Sequence, residues 1–121
     1  MTKRVLIVDD ALIMRARIKD IAERAGWQVA GEACNGEEAV ALYRQVNPDL
    51  VTLDIVMPRM DGVAALKAVM AEDPSARVVM VSAVDQREKL TECIQSGAID
   101  FIVKPFDPVR LAGLFEKYLT A

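Results

Sequence analysis

Residues 5–10 read VLIVDD, an apolar run that ends on two adjacent carboxylates. Four consecutive apolar residues, three of them β-branched, predict a strand buried on both faces, as in a parallel sheet covered by helices. Two ionised carboxylates side by side repel each other, so the pair Asp9-Asp10 needs an explanation. One explanation is local, because an aspartate can cap a helix and a second acid suits its first turn. The other explanation is a binding site at the end of the strand.

A short apolar run followed by a longer stretch with helical spacing occurs five times along the chain. The apolar runs predict strands at 4–9, 28–33, 50–54, 77–82 and 99–103. Residues typical of turns, helix starts or helix ends separate the elements: Asn35-Gly36, Asp61-Gly62, Gly97 and Pro108. Repeated strand–helix units predict an α/β fold, a single doubly wound (βα)5 domain whose five-stranded parallel sheet has helices on both faces.

The composition excludes several classes of function. The chain has 121 residues, 53% of them apolar, and a net charge of −3, so we expect one domain covering residues 1–121. It shows neither a basic stripe nor an apolar run of membrane-spanning length, so we expect no nucleic-acid partner, no membrane partner and a cytoplasmic location. Histidine is absent, which excludes a Ser-His-Asp triad and an HExxH zinc site. Cys34 and Cys93 are isolated, and we expect buried, reduced thiols.

Polar residues stand where the predicted strands end. Parallel strands bring their carboxyl ends to one edge of the sheet, which is where open α/β sheets bind ligands. Taken singly, a serine or a lysine at a strand end says little. Asp54 is more informative, because it lies in the apolar segment VTLDIVMP and an ionised carboxylate there needs partners. The residues expected at this edge are Asp9, Asp10, Asp54, Ser82 and Lys104.

Together these residues indicate a site for phosphoryl transfer. Three carboxylates at one edge repel each other unless a cation joins them, and ligation by oxygen alone suits Mg²⁺. The hydroxyl of Ser82 and the charge of Lys104 suit an anion that carries oxygens. Asp54 is then the expected nucleophile, since carboxylates form aspartyl-phosphate intermediates. The acids of VLIVDD therefore end a strand at the edge of the sheet that is built to hold a ligand.

Four segments, VLIVDD, DLVTLDIVMPRMDG, VVMVSA and DFIVKPF, resemble in order and separation the receiver domain of bacterial two-component response regulators. The resemblance covers essentially the whole chain, and it is closest to the stand-alone chemotaxis regulators of the CheY type. It implies strand order 2-1-3-4-5, Mg²⁺ as cofactor, a sensor histidine kinase as phosphodonor, and a signalling protein rather than an enzyme. It also implies a monomer without an output domain that assists its own phosphorylation and dephosphorylation. The downstream partner is expected to be a flagellar motor switch or a phosphotransfer protein.

The resemblance also implies a role for each residue of the acidic site. Asp54 is the phosphoacceptor. Asp10, Asp54 and the backbone carbonyl of Val56 hold Mg²⁺, and Asp9 acts mainly through a coordinated water.

A second group of matching positions contacts the phosphoryl group and passes the signal on. Ser82, the backbone N–H of Ala83 and Lys104 bind the phosphoryl oxygens. Pro105 follows the lysine through a cis peptide bond. Ser82, where threonine is commoner, and Phe101, where tyrosine is common, form a switch that acts on the face of helix 4, strand 5 and helix 5. Lacking a hydroxyl, Phe101 is expected to favour a buried position even before phosphorylation.

Other interpretations remain open from the sequence. A receiver from a longer regulator or a phosphorelay intermediate is kept as an alternative to the stand-alone chemotaxis regulator. An Asp-nucleophile phosphohydrolase is disfavoured, because such enzymes carry a second acid two residues after the nucleophile and Val56 stands there. A flavodoxin-like carrier is disfavoured because an acid-rich edge repels the phosphate of FMN.

Overall fold

Five parallel strands form the central sheet in the order β2-β1-β3-β4-β5. The computed structural model describes residues 2–121. The strands are β1 (Arg4–Val8), β2 (Gln28–Ala33), β3 (Leu50–Asp54), β4 (Val78–Ala83) and β5 (Asp100–Lys104). The helices are α1 (Leu12–Arg24), α2 (Gly36–Val46), α3 (Gly62–Glu72), α4 (Arg87–Gln95) and α5 (Pro108–Thr120). The predicted fold class and strand order are confirmed, and each predicted strand agrees with the structure to within one residue at either end.

Successive side chains of the strands point to opposite faces of the sheet and form two apolar layers, one on each face. Leu6, Val8 and Leu53 face α2 and α3, whereas Val5 and Ile7 face α1 and α5. Burial on both faces explains why the inner strands are continuously apolar in the sequence. The sheet is packed against helices on both faces, and this packing positions the residues at its carboxyl edge.

Three helices start at residues that the sequence marks as caps. The side chain of Asn35 accepts from the N–H of Glu38 at the start of α2, and Asp61 accepts from the N–H of Ala64 at the start of α3, each over 2.9 Å. α5 starts with Pro108 after the N-cap residue Asp107. Side-chain acceptors at these positions satisfy N–H groups that have no partner within the helix.

The local explanation of the Asp9-Asp10 pair is wrong. α1 begins at Leu12, its N-cap residue is Ala11, and no acid lies in its first turn. Asp9 instead directly follows the last residue of β1, and its Oδ1 accepts from the N–H of Ala11 over 2.9 Å. The acids therefore belong to the edge of the sheet and not to the helix.

The two cysteines differ in exposure. Cys93 is the buried residue of α4, and burial raises the pKa of its thiol to about 11. Cys34 is only partly buried, so the expectation of burial is wrong for this residue. It follows β2, which is an edge strand, and its thiol donates to Glu38 Oε1 over 3.3 Å. Within residues 2–121, no helix combines the length and apolar character needed to cross a membrane.

Candidate functional site

Asp9, Asp10 and Asp54 come together at the carboxyl edge of β1 and β3. One carboxylate oxygen of each lies within 4.8 Å of those of the other two. β1 and β3 are neighbours with Val8 opposite Leu53, so the residues that follow this pair meet at the edge. Asp9 and Asp54 are buried, whereas Asp10 is exposed. The structure thus brings together the three acids that the sequence predicts.

Burial and mutual repulsion perturb the phosphoacceptor candidate. The pKa of Asp54 is raised to about 6, chiefly by burial and secondly by the charge of Asp9, while the ammonium of Lys104 opposes both effects. The buried carboxylates of Asp9 and Asp54 repel each other, so binding of a proton or a cation stabilises them. Three oxygen donors with no nitrogen or sulfur ligand in contact are chemically suited to Mg²⁺, which takes one or two carboxylates and keeps several waters. The donor set therefore fits the metal that the sequence predicts.

Lys104 joins the two buried acids. Its Nζ donates to Asp9 Oδ2 over 2.7 Å and lies 3.4 Å from Asp54 Oδ2. Burial lowers the pKa of Lys104, but the bond to Asp9 and the charge of Asp54 outweigh burial and hold the pKa above its usual value. The lysine is therefore charged, and its peptide bond to Pro105 is cis.

Arg15 and Gly62 support this edge, although Arg15 carries no distinctive sequence signal and the sequence predicts Gly62 only as part of a turn or helix start. Arg15 Nη1 donates to the backbone carbonyl of Asp9 over 2.7 Å, which fixes the main chain where β1 ends. At Gly62 a Cβ atom would lie only 2.0 Å from the carbonyl oxygen of Asp54, so the chain returns to β3 too closely for any side chain. The Asp61-Gly62 pair is thus a cap followed by a close approach.

Ser82 and Ala83 end β4 beside the acids. Ser82 is buried, and its register partner on β5 is Val103, while Ala83 lies opposite Lys104. The backbone N–H of Ala83, predicted to meet a phosphoryl oxygen, donates here to Gln86 Oε1 over 2.8 Å. Gln86 is a further residue that the sequence analysis missed, because a glutamine at a helix start carries no distinctive signal.

Two valines stand exposed at the rim of the site. Val56, two residues after Asp54, is 49% exposed, and Val84, two residues after Ser82, is 73% exposed. Neither side chain can donate or accept a hydrogen bond. The rim next to Asp54 is therefore apolar where a polar side chain would be able to orient a water.

Phe101 lies on β5 beside a groove of about 540 Å³ that we call the α4–β5 groove. Its lining includes Ser82, Val84, Leu90, Ile94, Phe101 and Val103. The ring is 38% exposed, so the expectation that it is buried is wrong for this structure. The ring stands at the side of the groove instead of filling it, and Ser82 lines the same groove.

Known proteins are similar to this chain in sequence and in fold. The chemotaxis protein CheY of Thermotoga maritima is 52% identical over 117 residues, which cover 97% of this chain and 98% of that protein. CheY of Bacillus subtilis strain 168 is 50% identical over 119 residues, 98% of this chain and 99% of that protein. In the crystal structure of the CheX-CheY-BeF3-Mg+2 complex from Borrelia burgdorferi, a chain is 40% identical with a TM-score of 0.87. That match covers 92% of this chain and 84% of the other.

The family model for the response regulator receiver domain matches residues 5–116. This span contains the three acids, the strand ends at Ser82 and Lys104, and the groove beside Phe101. Because the match extends over nearly the whole fold and includes the complete acidic edge, the chain belongs to the response regulator receiver domain family.

Proposed function

We propose that this protein is a chemotaxis response regulator whose Asp54 accepts a phosphoryl group from a sensor histidine kinase in a Mg²⁺-dependent step. The observation that carries the proposal is the position of Asp54, buried at the end of β3 between Asp9 and Lys104. The assignment to chemotaxis is supported by the relatives named CheY, which match this chain at about half identity over nearly their full length. The partner in the Borrelia complex, CheX, indicates that a related receiver binds a protein target.

The proposed reaction moves one phosphoryl group between two side chains. A carboxylate oxygen of Asp54 attacks the phosphorus of a phosphohistidine, the P–O bond forms, and the P–N bond breaks. The leaving imidazole nitrogen keeps the electron pair of that bond and takes a proton from solvent. The pKa of Asp54, about 6, leaves this carboxylate ionised at neutral pH and available as a nucleophile.

The acids would hold Mg²⁺, with Asp10, Asp54 and the backbone carbonyl of Val56 as ligands and Asp9 acting mainly through a water. When bound, the ion neutralises charge on the phosphoryl oxygens and on the carboxylates around them. Lys104 is charged and contacts both buried acids, so its ammonium is placed to form an ion pair with an oxygen of a phosphoryl group on Asp54. Ser82 is at the adjacent strand end and is expected to donate its hydroxyl to another oxygen.

The proposed output is a change on the face made by α4, β5 and α5. A phosphoryl group adds about −1.5 to −2 charge and three acceptor oxygens at the edge where Ser82 lies. Ser82 and Phe101 both line the α4–β5 groove, which gives movement at the site a direct route to this face. We place the docking of a motor-switch or phosphotransfer protein on this face, and we expect a monomeric, cytoplasmic protein that assists its own phosphorylation and dephosphorylation.

The proposal is tested by labelling with acetyl phosphate in the presence of Mg²⁺. Wild-type protein should gain one phosphoryl group by intact mass spectrometry, and chelation of Mg²⁺ should abolish the gain. Asp54→Asn should remove labelling, whereas Asp85→Asn, which removes an exposed acid from the loop after β4, should leave it unchanged. Labelling of Asp54→Asn at the wild-type rate would show that another residue is the acceptor and would overturn the proposal.

A further inference from the structure

The backbone N–H at the end of β4 already has a side-chain partner. Ala83 N–H donates to Gln86 Oε1 over 2.8 Å, and Gln86 N–H donates in return to the carbonyl of Ala83 over 3.1 Å. This reciprocal pair of hydrogen bonds closes the turn between β4 and α4. The side chain of Gln86 is therefore tied to the strand that ends at the phosphoryl site.

Gln86 occupies the N-cap of α4 without capping it. At α2, α3 and α5, the side chains of Asn35, Asp61 and Asp107 accept from backbone N–H groups of the helix that follows. α4 has no such bond, and it is held to Gln86 through the backbone, where Leu90 N–H donates to the Gln86 carbonyl over 2.9 Å. A glutamine side chain is too long to be a favoured cap, but its length lets it reach back to Ala83. The start of α4 is thus connected to the end of β4 through one residue.

The N–H that Gln86 occupies belongs to the last residue of β4, at the same edge of the sheet as the charged groups of the site. Ala83 is the register partner of Lys104, and it directly follows Ser82. If Asp54 carries a phosphoryl group, one anionic oxygen of that group competes with Gln86 Oε1 for this N–H. A hydrogen bond to an ionised oxygen is roughly twice as strong as one to a neutral amide, so the phosphoryl oxygen wins the competition.

We propose that the side chain of Gln86 competes with the phosphoryl group for the backbone N–H of Ala83. Its side-chain carbonyl holds Ala83 N–H in the unphosphorylated protein and is displaced when a phosphoryl oxygen takes that N–H. Displacement breaks one of the two bonds that close the Ala83–Gln86 turn, so the first turn of α4 loosens as the site fills. The inference rests on the proposed function of Asp54 and adds to it a second route from the site to α4, independent of Phe101.

Competition has a measurable consequence, because two species that share one donor weaken each other reciprocally. Removing the Gln86 side chain should strengthen binding of a phosphoryl mimic by about 2- to 12-fold, the range expected for the net worth of one neutral hydrogen bond. Replacing the amide by a carboxylate should have the opposite effect. A carboxylate in the place of the amide accepts the bond more strongly and also repels the incoming anion.

The experiment is a titration with beryllofluoride at saturating Mg²⁺, followed by backbone amide NMR. The proteins are wild type, Gln86→Ala, Gln86→Glu and the control Gln95→Ala, which removes the same side chain from the exposed last residue of α4. We expect tighter binding for Gln86→Ala, weaker binding for Gln86→Glu and wild-type binding for Gln95→Ala. Before beryllofluoride is added, hydrogen exchange at Ala83 N–H should be faster in Gln86→Ala than in wild type.

The possible results separate this inference from the function on which it rests. If wild type binds beryllofluoride and Gln86→Ala binds it equally or more weakly, the competition does not exist and the inference is overturned. The same conclusion follows if Gln86→Ala and Gln86→Glu shift affinity in the same direction. If wild type binds beryllofluoride no better than Asp54→Asn does, the proposed function fails, and the role of Gln86 fails with it.

Discussion

Lys104 Nζ donates a hydrogen bond to Asp9 Oδ2 over 2.7 Å. The bond connects the carboxyl ends of β5 and β1, which are separated in the sheet by β3 and β4. This partly buried contact gives the acidic edge a positive charge, which partly offsets the repulsion among the carboxylates. The lysine therefore stabilises the site before any phosphoryl group arrives, and it lies close enough to Asp54 to change partners.

Lys104→Ala should separate metal binding from signalling. Because the lysine is a charge partner and not a metal ligand, Mg²⁺ affinity should be retained or should rise, since a competing cation is removed. Signalling should fall, because the phosphoryl oxygens lose an ammonium that can bind them. Mg²⁺ titration by NMR and partner binding in beryllofluoride are the measurements. A large loss of Mg²⁺ affinity in Lys104→Ala would contradict this division of roles.

Asp54→Asn should stabilise the metal-free fold near neutral pH. In the folded protein the pKa of Asp54 is about 6, above its ordinary value of 3.8, so the folded state binds the proton more tightly than the unfolded state. The free energy of unfolding should therefore decrease as pH rises from about 4 to about 6, and the cost should be fully present above 6. At about 1.36 kcal/mol per pKa unit, the ionised Asp54 lowers the free energy of unfolding by roughly 2–3 kcal/mol at pH 7.

Urea denaturation of wild type and Asp54→Asn without Mg²⁺ provides the measurement. The two proteins should have similar stability near pH 4, and the variant should be the more stable above pH 6. Added Mg²⁺ should stabilise wild type much more than the variant, because ligand binding to the folded state adds to its stability. An equal pH dependence in both proteins would show that Asp54 is not the perturbed group.

The sequence predicts the positions of the acids better than the contacts around them. The strand ends Asp54 and Lys104 follow from the apolar runs, since parallel pairing forces those ends to one edge. The exposed position of Phe101 and the bond between Gln86 and Ala83 do not follow in the same way. Both depend on a choice among side-chain rotamers of similar energy, which is made by packing between elements and leaves no periodic signal.

Thr52→Val should increase stability. Thr52 is the middle residue of β3, its side chain is buried, and its hydroxyl is the one buried side-chain N or O atom in residues 2–121 without a hydrogen-bond partner. Valine has a similar shape, so the substitution removes the unpaired polar group and keeps the packing. We expect a gain of about 1–2 kcal/mol in the free energy of unfolding. Thr91→Val is the control, because the Thr91 hydroxyl is exposed and donates to the Arg87 carbonyl. If Thr52→Val does not raise the free energy of unfolding more than Thr91→Val does, the prediction is contradicted.

The phosphorylated protein should lose its phosphoryl group slowly. Hydrolysis of an acyl phosphate needs a water in line with the breaking P–O bond, and the exposed Val56 and Val84 cannot orient one. A Val56→Asn, Val84→Glu double variant introduces an amide and a carboxylate at these two positions. Decay of the phosphorylated form, measured by intact mass spectrometry, should be about 10-fold faster or more in the double variant, in line with the contribution of a positioned polar group. Decay at the same rate in both proteins would show that the valines do not control access of water.

Phosphorylation should move Phe101 from the side of the α4–β5 groove into it. The ring is partly exposed, and Ser82 lines the same groove of about 540 Å³, so a Ser82 hydroxyl drawn toward the phosphoryl group leaves more room there for the ring. Burying the exposed third of the ring is worth roughly 0.5–1 kcal/mol, which corresponds to a two- to fivefold change in a binding equilibrium. Ser82→Ala and Phe101→Ala should each reduce the increase in target affinity that beryllofluoride causes, and Ile99→Ala, an exposed apolar residue just before β5, is the control. Target binding with and without beryllofluoride is the measurement. If both variants keep the full increase of wild type, the signal leaves the site by another path, of which the displacement of Gln86 at the start of α4 is the first to examine.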